Sequence, residues 1–253
     1  MQQLRYRFYA SLLDAFQNYL DSDIIYDKYW AFSENPPYTQ EEFQQKQFQS
    51  LIDRINRVPY DSEAADRGTA FNEVVDCMVL NRASDKIEVE KVTDNGQTVG
   101  LNATYNSRTF YFPLALCREV ADYYKGALTQ QYVQAVLPTV FGGVLVYGFI
   151  DYVLPFLTCD LKTTGRYNVG DFKNHWQHIV YPYALIENGI NVMDFEYNIV
   201  ELSKNDYNTY TESYSFVPER DIPKLTQHCE DFIKFLHQNR ELITDKKIFN
   251  LAA

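Results

Sequence analysis

The sequence predicts an α/β (α+β) fold: a mixed central sheet flanked by helices, preceded by N-terminal helices and carrying an inserted antiparallel meander. Three observations predict it. Two segments near the N-terminus repeat apolar residues at helical spacing, three alternating segments separated by turn residues follow, and a helix-strand-strand-strand-helix-strand order then runs from Leu114 to Leu202. The chain reads as one domain over 1–253. It comprises a helical N-terminal elaboration over 1–60, a core over 67–202 with the meander at about 85–113, and a C-terminal strand and helix over 203–253. With 46% hydrophobic residues, a chain of 253 residues can bury a core of this size.

In order along the chain, YASLLDAFQNYL and QEEFQQKQFQSLIDRIN carry the helical period, and SENPPYTQ between them is a loop. Thr39 with Glu42 three residues later forms a capping box that starts the second of these helices. A helix over about Arg67–Leu80 leads into KIEVEKV, TVGLNATY and SRTFYFP, separated by Asp94-Asn95-Gly96 and Asn106-Ser107 turns. After a helix near Leu114–Lys125 come the strands QYVQAVLP, VLVYGFIDYVL and FLTCDLKTT. A helix from about Val169 to Asn188, stopped by Gly189, and a strand near Met193–Leu202 complete the core. YNTYTESYSFV and a helix over Glu219–Gln238 close the chain.

Composition narrows the class. The uncharged stretch Ala127–Ile150 is long enough for a membrane span, but its Gln130, Gln131, Gln134, Pro138 and Gly142-Gly143 suit two buried strands joined by a turn. The N-terminus is interrupted by Arg5, Arg7 and Asp14, unlike a signal peptide, so a cytoplasmic protein with no membrane partner is expected. Cys77, Cys117, Cys159 and Cys229 lack the CxxC spacing of zinc sites and read as reduced thiols. The net charge of −11 is a poor match for broad nucleic-acid binding. It is a lesser obstacle for a cleft whose bound cations supply positive charge.

Alternation along a strand places Asp160 and Lys162 of CDLKTT on one side, with Leu161 on the other. A hairpin closing around Pro155-Phe156 sets Asp151 directly across from Asp160. Two facing carboxylates repel unless a cation lies between them, and a site of hard oxygens suits Mg²⁺ or Mn²⁺. Lys162 is then placed to position a water or steady charge on phosphate oxygens. The DxK triplet taken alone also fits a solvent-facing strand with a surface ion pair. Gln177 and Tyr181, four apart in HWQHIVYPYAL, share one helix face and can orient substrate or the lysine.

Together these residues resemble the G-x-x-D … (D/E)-x-K … Q-x-x-x-Y series of the RecB-like PD-(D/E)xK nucleases. That group includes the RecB and AddB nuclease domains, CRISPR-associated RecB-like exonucleases and, more distantly, lambda exonuclease. Gly148 and Asp151 match one motif, Asp160 and Lys162 the next, and Gln177 and Tyr181 the last, over about Arg67–Gly189. The resemblance implies a restriction-endonuclease-like core, with Asp151, Asp160 and Lys162 catalytic and Gln177 and Tyr181 binding substrate. It also implies Asp151, Asp160 and the Leu161 carbonyl as metal ligands, with DNA as partner and cleavage from ends.

The chain departs from that series at its first motif, G-x-x-x-H, where RGTAFNEVVD has Gly68 but carries Asn72 in place of the histidine. Phe71, Val74, Val75, Met78 and Val79 form the apolar stripe of this helix, with Asn72 near its edge and Glu73 nearly opposite. Asn72 is therefore the weak ligand and Glu73 the fallback. A glutamate that many relatives carry before the second motif is replaced by Gln130, Gln131 or Gln134. Some relatives hold an iron-sulfur cluster through cysteines grouped near the C-terminus, where Cys229 stands alone here, so no cluster is expected. His175 and His178 read as packing or surface residues. A metal-dependent nuclease of exonuclease type is the expected function, and a catalytically weak or inactive nucleic-acid-binding or assembly protein of the same fold is the alternative. Protein partners are left open.

Overall fold

The computed structural model describes residues 3–203 and 206–249. It is a mixed α/β structure built on a six-stranded mixed sheet and a separate three-stranded antiparallel sheet.

The N-terminal segment corrects the expectation of helices alone. Leu4–Tyr9 is a strand, β1, because Tyr6 and Phe8 are buried at alternate positions while Arg5, Arg7 and Tyr9 lie on the other side. The helices α1 (Ala10–Leu20), α2 (Ser22–Trp30) and α3 (Gln40–Ile55) follow. The capping box of α3 forms as expected: Thr39 Oγ1 accepts from Glu42 N at 3.2 Å, and Glu42 Oε2 accepts from Thr39 N at 2.8 Å.

Helix α4 (Glu63–Val79) starts at Ser62, whose hydroxyl accepts from Ala65 N. The meander is β2 (Glu88–Asp94), β3 (Gln97–Tyr105) and β4 (Arg108–Pro113), in that order. Then come α5 (Leu114–Tyr123), β5 (Leu128–Thr139), β6 (Gly142–Val153) and β7 (Leu157–Thr164). The uncharged stretch is thus the β5–β6 hairpin, and no helix among the described residues is long and apolar enough to cross a membrane. Helix α6 (Gln177–Glu187) begins eight residues later than expected from Val169. Gly170 takes φ +86° in a turn held by Asp171, which accepts from Asn168 N at 2.9 Å. Gly189, at φ +79°, follows the helix end. Strands β8 (Asp194–Leu202) and β9 (Tyr207–Ser215) and helix α7 (Pro218–Gln238) complete the chain.

Strand β6 organises the large sheet. One edge pairs with β5 along its length. The other is shared: β1 runs parallel to it as far as Tyr9↔Tyr147, and β7 pairs with it only at Tyr152↔Cys159 and Val153↔Thr158. That edge is therefore open from Gly148 to Asp151. One core, around Phe8, Phe16, Val146, Phe195 and Phe232, packs α1, α3, α6 and α7 on one face. The other, around Phe71, Phe112, Leu116, Tyr152 and Leu161, packs α4, α5 and the meander against the β6–β7 end. The site lies where these layers meet at the open edge.

Candidate functional site

The two pairs of the β6–β7 ladder lie on the register that puts Asp151 opposite Asp160, as expected. The ladder stops one residue short of them, and the strands diverge. The Asp151 side chain fills the opening: its Oδ2 accepts from Leu161 N at 3.0 Å, and Gln130 Nε2 of β5 stands 3.4 Å from its Oδ1. Gln130 adopts φ +50° opposite Asp151, so among the three glutamines it is the one at the site.

Asp160 is buried and faces α6, where Gln177 Nε2 donates to its Oδ1. Its Oδ2 is 2.6 Å from Lys162 Nζ, whose side chain retains 28% exposure. Gln177 also donates to Tyr181 Oη at 3.3 Å. The i, i+4 pair thus acts on the carboxylate as one unit. From the other side α4 presents Asn72, whose Nδ2 is 3.4 Å from the Leu161 carbonyl and whose Oδ1 is buried with no hydrogen-bond partner. All the residues expected at the centre, Asp151, Asp160, Leu161, Lys162, Gln177, Tyr181 and Asn72, are therefore drawn together by four elements.

Glu73 is corrected. It is buried, not turned to solvent, and belongs to another cluster: Arg82 Nη1 at 2.8 Å, Lys86 Nζ at 3.1 Å and Ser84 Oγ at 2.9 Å engage its carboxylate. Burial alone would raise its pKa, but these bonds outweigh it and hold the group at about 2. A carboxylate so engaged pins the loop after α4 and is poorly suited to be a ligand.

Two carboxylates escaped sequence reasoning. Asp76, one turn after Asn72, is buried beside the Tyr152 hydroxyl and the Gln130 amide, with Oδ1 lacking a well-formed hydrogen bond. Its i+4 spacing from Asn72 was the available signal. Asp14 of α1 is buried and accepts from Trp176 N at 2.6 Å, so a neighbouring helix supplies an acceptor at the start of α6, whose own N-cap residue makes no side-chain cap. A charge inside the apolar stripe of Leu12, Leu13 and Phe16 was the signal there.

The electrostatics follow from burial. Desolvation first, and the Asp160 charge second, raise the Asp151 pKa, against the pull of Lys162 and of the Leu161 N–H. Burial would lower Lys162, but Asp160 and Asp151 together raise it, so it is a cation at neutral pH. Burial lowers His175 to about 4 and His178 to about 3, and both are neutral packing residues. His178 stacks on Tyr214 at 4.2 Å.

The donor set comprises carboxylates, a main-chain carbonyl and an amide oxygen, which is the chemistry of a hard divalent cation. Buried Asn72 Oδ1 and the raised Asp151 are the features such a cation would satisfy. Among the described residues no group of three or more His, Cys, Asp or Glu side chains is arranged to hold a metal, so the set depends on the carbonyl and amide as well as on two carboxylates.

No protein-family model and no curated protein matches the chain. Among solved structures, the crystal structure of SSO0001 aligns with TM-score 0.35 and 14% identity, over 50% of this chain and 56% of that one.

Proposed function

We propose that the chain is a cytoplasmic Mg²⁺- or Mn²⁺-dependent nuclease of the PD-(D/E)xK type that hydrolyses DNA phosphodiester bonds, acting from ends. One observation carries it: a charged and amide cluster of Asp151, Asp160, Lys162 and Gln177 at the open edge of β6, inside otherwise apolar layers. Asp151, Asp160 and the Leu161 carbonyl would hold the cation, with Asn72 as a weaker fourth donor. Such an ion, when bound, polarises the phosphoryl oxygen and lowers the pKa of water. Lys162, kept protonated chiefly by the Asp160 carboxylate beside it, donates to a non-bridging phosphate oxygen and balances charge that grows during attack. Gln177 fixes the Asp160 carboxylate, and Tyr181 in turn fixes Gln177. End preference and the choice of DNA follow from the resemblance.

A second reading is supported by the internal bonds of the carboxylates. Asp151 accepts from Leu161 N, and Asp160 accepts from Gln177 at Oδ1 and pairs with Lys162 at Oδ2, which makes no aligned hydrogen bond, all without any ion. A non-catalytic nucleic-acid-binding protein of this fold would look the same. Calorimetric titration with Mn²⁺ separates them: the nuclease proposal expects one saturable site, lost in Asp151→Asn. No saturable binding would favour the second reading.

A further inference from the structure

A solvent-facing aromatic surface leads away from Asp151. Tyr147 and Phe149 precede it at alternate positions of β6, and the antiparallel register places Tyr132 of β5 opposite Phe149. Phe149 is 56% and Tyr132 46% exposed, and their ring centroids lie 5.1 Å apart. Tyr132 meets Tyr147 at 6.3 Å, and Tyr147 meets Tyr9 of β1 at 6.0 Å. The opposite faces of these strands, with Tyr6, Phe8, Val133, Ala135, Val144 and Val146, already form the core. Phe149, Tyr132 and Tyr147 lie outside that core, against which Tyr9 is partly packed.

Cations accompany them. The Arg7 guanidinium lies 5.7 Å from the Tyr147 ring centroid, and Arg57 Nη2 is 3.5 Å from its hydroxyl. Beyond Tyr9 the surface opens into a groove of about 550 Å³ whose walls include Arg54, Arg57 and Tyr60, along with Asp53. Arg57 also pairs with Asp245 at 2.7 Å. In a chain of net charge −11, Arg7 over the half-buried Tyr147 ring and Arg57 at its hydroxyl, next to the exposed Phe149 and Tyr132, form a local complement to phosphate beside the candidate site.

We infer that this face is a track for single-stranded nucleic acid, a deduction that rests on the nuclease proposal. Bases stack on Phe149, Tyr132 and Tyr147, while Arg7, Arg54 and Arg57 meet the phosphates and the strand runs toward Asp151. Flat exposed rings bind unpaired bases, whereas a duplex keeps its base faces stacked inside. Tyr147 and Phe149, alternate residues of β6, recur about every 6.6 Å, which suits one extended nucleotide at each, with Tyr132 flanking Phe149 from β5.

Fluorescence anisotropy with a labelled oligothymidylate and a blunt duplex of equal length, both in EDTA so that no strand is cut, tests it. The single strand should bind more tightly. Phe149→Ala and Tyr132→Ala should each weaken it by about 5- to 150-fold, and Phe149→Tyr should retain it. Arg7→Ala should reduce the salt slope by about 0.7. Tighter duplex binding, or affinity unaltered by the aromatic substitutions, overturns the track. So does sedimentation in which Phe149→Ala dissociates a dimer without changing nucleic-acid affinity, because the face would then be a contact between copies. Either result leaves the nuclease proposal standing if wild-type protein still cuts DNA and Lys162→Ala does not. Loss of both binding and cleavage in the wild type removes both.

Discussion

Gly148 of β6 and Tyr181 of α6 approach so closely that a β-carbon at position 148 would lie 2.5 Å from Tyr181 Cε1. Glycine there is a condition for the Tyr181–Gln177–Asp160 chain, since any larger residue must push the tyrosine ring out of line. Gly148→Ala should cost about 1–3 kcal/mol of stability through overpacking and lower cleavage further by displacing Gln177. Denaturant unfolding together with a cleavage assay checks both. Gly68→Ala should be milder, because the added carbon meets the Thr163 hydroxyl oxygen at 3.1 Å and that side chain can turn away.

Stability of the metal-free protein should fall as pH rises from about 7 to 8. Burial pushes Asp14 up to about 7 and, with the charge of Asp160, Asp151 up to about 8, whereas in the unfolded chain both are already ionised. The folded state then binds more protons, so the unfolding free energy declines with pH. Below pH 6.5 the buried His178 and His228 and the half-buried His175, all with lowered pKa values, act in the opposite sense, which leaves pH 7–8 as the clean window. Thermal melts across it should show a declining Tm that is flatter in Asp151→Asn. Mg²⁺ should raise Tm more at pH 8 than at pH 7. A Tm independent of pH in this window would remove the buried-carboxylate account.

On α4, neighbouring positions should separate function from stability. Asn72→Ala should weaken metal-dependent cleavage with little change in Tm, and Asn72→His should favour Mn²⁺ over Mg²⁺ because imidazole suits the softer ion. Glu73→Gln should do the reverse: it weakens bonds to Arg82 and Lys86, both partly exposed, at a cost on the order of 1–2 kcal/mol, and leaves the cleft alone. Parallel melts and cleavage rates decide. An inactive Glu73→Gln with normal stability would place the acidic residue in the mechanism.

What was legible in the sequence was local. The Asp151–Asp160 register followed from alternation and a short loop, and the Thr39–Glu42 box from a four-residue pattern. Strand β1 was missed although Leu4, Tyr6 and Phe8 alternate with Arg5 and Arg7, because the run is short, passes directly into α1 and has its parallel partner Gly143–Tyr147 far along the chain. The start of α6 was misplaced because a turn around Gly170 interrupts residues with helical propensity. Asp14 and Asp76 were overlooked for the same reason as β1: their burial is made by contacts with distant elements. The same holds for the aromatic face, whose rings join only when β1, β5 and β6 align.

The most direct test of the central claim is release of acid-soluble nucleotides from linear DNA by wild type, Asp160→Asn and Lys162→Ala, each with Mg²⁺, with Mn²⁺ and with EDTA. The wild type should release nucleotides with either metal and none in EDTA. Both variants should melt near the wild-type temperature and lose at least about 100-fold in rate, since both groups act on charge that develops during reaction. Full cleavage by either folded variant, or none by the wild type under every condition, would contradict the assignment of Asp151, Asp160 and Lys162 as a nuclease centre.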